Sequence, residues 1–130
     1  MTQTTEDYLK TIYLLQKNRG EARNALISET LGVSKPTVTN IVKRLAREKY
    51  VTVNGDYSIR LTDTGRKIAE STLDRNRTIR ELLMGLGVDE ETAESDACEM
   101  EHAISPKSLD ALKILAKRQC LKTCIAVQDD

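Results

Sequence analysis

The chain has 130 residues, of which 39% are hydrophobic and 31% charged, and its formal net charge is zero. These values predict one or two folded, soluble units and exclude a disordered chain. The four tyrosines are the only aromatic residues, so the core must be aliphatic. No apolar run reaches the roughly 20 residues that a membrane span requires, and the N-terminus lacks the pattern of a signal peptide. We therefore predict a cytoplasmic protein without membrane contact.

Hydrophobic periodicity predicts three helices in the first half of the chain, over residues 5–18, 23–31 and 35–48. Thr5 is the predicted N-cap of the first helix, Gly32 ends the second, and Ser34 caps the third. Two β-prone runs, residues 51–53 and 57–61, follow on either side of an Asn-Gly turn sequence. This pattern is a strong signal of a β-hairpin.

The second half of the chain predicts helices only. These helices start at Thr62 or Thr64, at residue 89 and at Pro106, and the first of them ends near Gly85. A helix of about 20 residues is longer than the usual three turns, which indicates that it links two modules.

Charge also divides the chain. Residues 1–71 carry twelve basic and eight acidic side chains, whereas residues 72–130 carry eight basic and twelve acidic ones. The predicted helices and hairpin together give a mainly α fold with a small β-hairpin. The change in charge divides this fold into two predicted domains, residues 1–71 and residues 72–130. The basic half suggests an anionic partner.

Helices joined by a short glycine-containing turn and followed by a hairpin form the order of a winged helix-turn-helix. Its recognition helix covers residues 35–48. Asn and Thr side chains can read base edges there, and Lys and Arg can neutralise phosphates. The candidate contacts to double-stranded DNA are Lys35, Thr37, Thr39, Asn40, Lys43, Arg44, Arg47 and Arg60. A solvated basic face or a protein-interaction module is the alternative.

Three potential metal ligands lie close together near residue 100. Cys98, Glu101 and His102 occupy positions i, i+3 and i+4, which share one face of a helix. A thiolate, a carboxylate and an imidazole suit a first-row divalent ion. His102 is the only histidine in the chain. From spacing alone, a surface helix that carries these types by accident remains the alternative.

Four segments resemble the iron- and manganese-dependent repressors of the DtxR/MntR family. They are TTEDYLKTIY at residues 4–13, LGVSKPTVT at 31–39, LTDTGR at 61–66 and ACEMEHAIS at 97–105. The resemblance implies a homodimeric repressor. Its winged helix-turn-helix binds a palindromic operator, and its helical second domain dimerises and senses a divalent metal that bridges the two domains and favours operator binding.

The resemblance implies a metal-ligand set of Asp7, Cys98, Glu101 and His102. This set mixes two branches of the family, because the Asp7 position resembles the manganese branch and the Cys98 position resembles the iron branch. A thiolate is a soft ligand, so we expect Fe²⁺ to be the cofactor, with Mn²⁺ as the second choice.

The family's second metal site is degenerate in this chain. Its positions correspond to Lys10, Asn76, Arg80 and Glu94. Lys10 and Arg80 are cations where a second metal ion would need anions, which predicts one metal ion per subunit.

Two cysteines, Cys120 and Cys124, match no family ligand. They could form a second soft site or a redox pair, or they could be two small buried apolar residues. A regulator that senses oxidants or soft metals through the three cysteines is therefore the alternative function. We do not expect an enzyme, since a Cys98–His102 nucleophilic pair lacks an oxyanion hole and a glycine-rich loop.

Overall fold

The computed structural model describes the backbone of residues 2–129 and the side chains of residues 2–118. Within these residues the chain forms six helices and one two-stranded sheet, which confirms the predicted mainly α fold. In chain order the elements are α1 (Gln3–Arg19), α2 (Asn24–Leu31), α3 (Lys35–Arg47), β1 (Val51–Val53), β2 (Ile59–Leu61), α4 (Asp63–Gly85), α5 (Glu90–Met100) and α6 (Pro106–Asp129). The chain divides into two compact units, Met1–Ser71 and Thr72–Asp130.

The first helix starts earlier than the sequence predicts. Thr2, not Thr5, is the N-cap of α1, and its hydroxyl accepts a hydrogen bond from the backbone N–H of Thr5 at 3.2 Å. Thr5 is buried inside the helix, where its own hydroxyl accepts a hydrogen bond from Arg44 at 3.2 Å. The prediction of Thr5 as cap was wrong because this long-range partner cannot be read from local spacing.

The helix-turn-helix forms where the local signals predict it. Gly32 adopts a left-handed conformation with φ of 68°, and its N–H donates to the carbonyl of Ser28 at 2.9 Å. The Ser34 hydroxyl then caps α3 by accepting a hydrogen bond from the N–H of Thr37. These two local devices end one helix and start the next within three residues.

An aliphatic core holds the elements of the first unit together. The residues that are completely buried in it come from α1, α2, α3, the start of α4 and the region just before α2. They are Leu9, Ile12, Ala22, Ile27, Val38, Leu45 and Ala69. Burying one side chain of the Leu or Ile type contributes roughly 1.5–3 kcal/mol. The core therefore fixes α3 against α1 and leaves its opposite face in solvent.

The wing is a short antiparallel hairpin, with Val51 opposite Leu61 and Val53 opposite Ile59. Its second strand is shorter than the predicted 57–61, because Tyr57 belongs to the connecting loop. In that loop the N–H of Tyr57 donates to the carbonyl of Asn54 at 3.0 Å. Tyr57 has a positive φ of 66°.

The base of the wing is tightly packed. Thr62 donates its N–H to the carbonyl of Tyr50 at 3.0 Å, and its hydroxyl accepts the N–H of Gly65 at 3.1 Å. A Cβ atom at Gly65 would overlap the carbonyl oxygen of Tyr50. Glycine is therefore required at this close approach.

The second unit contains the C-terminal part of α4 together with α5 and α6. An ion pair between Asp74 of α4 and Lys113 of α6 joins two of these helices. The hydrogen bond from Lys113 lowers the pKa of Asp74 below its ordinary value, and Arg77 adds to this effect at 3.0 Å.

The sequence predicts a helix over residues 89–103, but α5 ends at Met100. Asp89 caps its start by accepting a hydrogen bond from the N–H of Thr92 at 3.0 Å. Its last residue is Met100, and Glu101 retains helical dihedral angles, with its N–H donating to Ala97. The N–H of Ala103 donates to Met100 instead, which is a tighter turn than an α-helix makes.

Two further predictions concern membrane-spanning helices and the cysteines of α6. No helix among the described residues is both long and apolar enough to cross a membrane. Cys120 and Cys124 fall within α6, but their side chains lie outside the described residues, so the predictions about them stay predictions.

Candidate metal centre and DNA-binding surface

The structure places the three clustered donor residues in one short stretch of the second unit. Cys98 lies in the last turn of α5, and Glu101 and His102 lie in the turn that follows. The Nε2 atom of His102 is 3.2 Å from the Oε1 atom of Glu101. The predicted spacing of Cys98 and Glu101 is kept, because the helical backbone continues through Glu101.

Burial separates this cluster from an ordinary polar helix surface. The Glu101 side chain is 0% exposed and the His102 side chain is 7% exposed. A carboxylate is almost never buried unless a charge or a set of hydrogen bonds compensates it. A buried carboxylate beside a buried imidazole is therefore a suitable pair of donors for a divalent cation.

The thiol of Cys98 has a polar neighbour on another helix. Cys98 is half-buried, and its Sγ atom accepts a hydrogen bond from Nδ2 of Asn76 on α4 at 3.5 Å. Asn76 is itself buried. Thiolate, carboxylate and imidazole form a borderline-soft set that fits Fe²⁺, Mn²⁺ or another first-row divalent ion.

The recognition helix presents most of its predicted contacts to solvent. Lys35, Thr37, Asn40, Lys43, Arg47 and, on β2, Arg60 are exposed. A groove of about 540 Å³ lies between α3 and β1, and its lining residues are Asn40, Lys43, Ala46, Arg47 and Val53. A groove with two basic walls and a hydrogen-bonding amide is suited to the edge of a DNA duplex.

Two of the predicted DNA contacts have partners within their own unit. The Thr39 hydroxyl accepts a hydrogen bond from Asn24 at 3.0 Å and donates to the carbonyl of Lys35 at 3.1 Å. Arg44 donates to Thr5 and is 3.6 Å from Glu48. These contacts hold α3 in position within the first unit. A DNA contact by Thr39 or Arg44 stays a prediction.

The loop between β1 and β2 is held in one conformation by contacts that the sequence does not predict. Arg23 donates a hydrogen bond to the carbonyl of Asp56 at 2.6 Å and is 3.6 Å from the carboxylate of the same residue. The Asp56 carboxylate also accepts hydrogen bonds from the N–H and the hydroxyl of Ser58. These contacts hold the loop that displays Tyr57, which is 78% exposed. The only available signal was an aromatic residue beside a turn sequence.

The remaining predicted site residues are spread over both units. In the first unit, Asp7 and Lys10 are half-buried on α1. In the second unit, Arg80 is half-buried on α4 and Glu94 is exposed on α5. Their roles at a metal centre stay predictions.

Comparison with known proteins gives the class. Residues 1–58 match the family model described as iron dependent repressor, N-terminal DNA binding domain. Residues 62–119 match the model described as iron dependent repressor, metal binding and dimerisation domain. The two domains together define a metal-dependent, DNA-binding transcriptional repressor rather than an enzyme.

Curated relatives show the family. A helix-turn-helix transcriptional regulator of Methanocaldococcus jannaschii is 38% identical over 120 residues, which cover 91% of this chain and 96% of the relative. The transcriptional regulator MntR of Bacillus subtilis is 33% identical over 111 residues, which cover 85% and 78% of the two chains. The chain therefore belongs to the iron-dependent repressor family, and its metal is a divalent ion.

Solved structures agree with this assignment. The manganese regulator SloR is similar with a TM-score of 0.79 and 31% identity, over 90% of this chain and 55% of that one. IdeR of T. acidophilum is similar with a TM-score of 0.75 and 29% identity, over 82% and 51%. The chain spans about half the length of these two solved proteins.

Proposed function

We propose that this protein is a cytoplasmic repressor of metal-homeostasis genes, and that a divalent metal ion must bind before it recognises its operator. The carrying observation is the buried pair of Glu101 and His102, which follows Cys98 in the region that matches a metal-binding domain. We assign DNA binding to residues 1–71, and metal binding and dimerisation to residues 72–130.

The proposed ligands are Asp7, Cys98, Glu101 and His102. Asp7 is included because of the family resemblance, and it belongs to the DNA-binding unit. Two carboxylates and a thiolate repel one another when nothing compensates their charge. A bound divalent cation supplies the positive charge that turns this repulsion into attraction. Asp7 and Glu101 are therefore the residues whose charges make the domain arrangement depend on metal.

The consequence for DNA binding is geometric. In a dimer, the two recognition helices must reach half-sites about 34 Å apart or a multiple of that distance, which implies a palindromic operator. The metal need only bind the DNA-competent arrangement better than the other arrangement, and such coupling is typically about 1–3 kcal/mol. The exposed residues Asn40, Lys43 and Arg47 then contact the duplex.

Exposed apolar residues support a homodimer through the second unit. Among the residues whose side chains the structure describes, the large apolar ones that this unit exposes are Met84, Leu86, Met100, Ile114 and Leu115. Side chains of this type are enriched where a surface is covered by a partner. Light scattering of the purified chain tests the dimer.

We propose Fe²⁺ as the physiological metal, because the Cys98 thiolate is a softer ligand than Mn²⁺ prefers. Several similar proteins are manganese regulators, such as SloR, and this favours Mn²⁺ instead. Operator binding measured anaerobically against free Fe²⁺ and free Mn²⁺ at cellular concentrations discriminates between the two.

We also propose that each subunit binds one metal ion. Lys10 and Arg80 carry positive charge at the two positions where the family's second site has anionic ligands. Isothermal titration is expected to give one tight site per subunit for Mn²⁺. Two tight sites would contradict this part of the proposal.

The bridging role of Asp7 has a direct test. Asp7→Ala is expected to remove metal-dependent operator binding while the metal-free protein stays folded, because it deletes the only proposed ligand from the DNA-binding unit. Gel-shift titration with and without Mn²⁺ or Fe²⁺ measures the effect, and Glu21→Ala, an exposed carboxylate of the same unit, is the control. Normal metal-dependent operator binding by Asp7→Ala would contradict the bridging mechanism.

A further inference from the structure

A buried amide lies next to the thiol of the metal centre. Asn76 is 9% exposed on α4, and its Nδ2 atom donates a hydrogen bond to Sγ of Cys98 at 3.5 Å. Buried amides are nearly always hydrogen-bonded, because an unsatisfied one costs about 1–3 kcal/mol. Cys98 and Asn76 are 22 residues apart in sequence, so this contact joins α4 to α5.

The chemistry of the two groups fixes the direction of this hydrogen bond. Sulfur in a thiolate is an acceptor only, so the NH₂ group of the amide faces it and the carbonyl oxygen faces away. An amide turned in this way is a poor candidate for a metal ligand, because its ligating oxygen points away from the sulfur.

We infer that Asn76 is a positioning residue that holds the Cys98 sulfur in place and lowers its donor strength toward the metal. The inference rests on the proposed function, because it takes Cys98 as a ligand. A hydrogen bond to a ligating sulfur withdraws electron density from it, and partners of metal ligands orient those ligands and tune the metal. Asn76 thus makes the Cys98 sulfur a less soft donor, in a set whose other proposed ligands are harder oxygen and nitrogen donors.

Two consequences distinguish this role from simple packing. The hydrogen bond fixes the direction of the sulfur lone pairs, and losing this orientation lowers metal affinity by more than the recovered donor strength raises it. It also stabilises the sulfur electrons, so its loss moves sulfur-to-metal charge transfer to lower energy. A residue that only filled space would change protein stability without moving that transition.

The experiment uses Co²⁺ as a spectroscopic probe with the full chain. The wild-type protein is expected to show a sulfur-to-Co²⁺ charge-transfer band that Cys98→Ser removes. Asn76→Ala is expected to shift this band to lower energy and to weaken Co²⁺ binding roughly 10–100-fold, the range for partners of metal ligands. Asn76→Gln, which keeps the amide donor, is expected to restore part of both values.

A matched control comes from the same helix. Thr78 is 5% exposed on α4, so Thr78→Val disturbs an equally buried polar position while leaving the amide in place. It is expected to change neither the band nor the Co²⁺ affinity. Thermal unfolding of the metal-free variants is measured alongside, and Asn76→Ser replaces Asn76→Ala if the latter does not fold.

Three results would overturn the inference. One is an unchanged band in Asn76→Ala, and another is the same shift in Thr78→Val. The third is a wild-type Co²⁺ complex without any charge-transfer band, which would remove Cys98 from the ligand set. Metal-dependent operator binding by the wild-type protein, measured separately, shows whether the proposed function itself holds in each case.

Discussion

The DNA-binding surface and the metal centre differ in how their residues meet solvent. On α3 the residues proposed to contact DNA are exposed, and their backbone is held from behind by a buried aliphatic core. At the end of α5 the relation is reversed, because Glu101 is 0% exposed and the His102 side chain is 7% exposed. One site is an outward face, and the other is an enclosed cluster.

The difference matches the ligands that we propose for the two sites. A nucleic acid is a large polyanion whose contacts spread over a surface, so exposed cations lose little hydration until it arrives. A metal ion is small and needs several donors at fixed distances, which requires burial and rigid neighbours. We therefore expect substitutions at the metal centre to weaken metal binding, and substitutions of the exposed cations on α3 to weaken DNA binding.

The largest expected effect is at the buried carboxylate. Glu101→Ala removes a proposed ligand from an enclosed cluster and is expected to weaken metal binding by at least about 100-fold, since even an outer partner of a ligand contributes 10–100-fold. Chelator competition measures the change. Glu99→Ala, an exposed carboxylate in the last turn of α5, is the control, and equal affinities of the two variants would contradict the assignment.

A second substitution tests the tightly packed base of the wing. Gly65→Ala is expected to lower the free energy of unfolding by about 3 kcal/mol, because the new methyl group overlaps the Tyr50 carbonyl and the backbone must move. Urea denaturation followed by circular dichroism measures it. Gly55→Ala, where no atom lies within 4 Å of the added Cβ, should change stability by less than about 0.5 kcal/mol.

The exposed cations should affect DNA binding alone. Lys43→Ala and Arg47→Ala are each expected to weaken operator binding about tenfold and to reduce the slope of log affinity against log salt by about 1. Metal affinity and stability should not change, because both side chains are solvated. Fluorescence anisotropy at several salt concentrations measures the slope, with Lys67→Ala on α4 as the control. An unchanged slope would remove these residues from the interface.

The smallest expected effect is at the tip of the wing. Tyr57→Gly is expected to raise the free energy of unfolding by about 0.5–1 kcal/mol, because a positive φ of 66° is costly for tyrosine and free of strain for glycine. Thr52→Gly in β1 should have the opposite sign, since glycine weakens a strand. A loss of stability in Tyr57→Gly would mean that the ring packs more than its exposure indicates.

The sequence predicts the helix-turn-helix well because its signals are local. Gly32 and Ser34 act on residues at most four positions away, so their effect can be read from spacing. The errors lie where a distant partner decides the outcome. Thr5 is held by Arg44 rather than acting as a cap, and Tyr57 leaves the strand for a loop that Arg23 holds.

At the metal centre, too, the sequence predicts local features but not the contacts made by distant residues. The i, i+3 relation of Cys98 and Glu101 follows from helical periodicity and needs no tertiary information. The burial of Glu101 and the contact of Asn76 with Cys98 depend on the packing of α4 against α5, which no local pattern encodes. Sequence can therefore nominate donor atoms, but not the neighbours that tune them.

The single histidine gives this protein a built-in reporter. His102 supplies the only imidazole in the chain, and its side chain is 7% exposed. Its ring protons therefore give one set of nuclear magnetic resonance signals that need no assignment by mutagenesis. Paramagnetic ions would broaden or displace those signals as they enter, so one spectrum per titration point reports occupancy directly from inside the cluster.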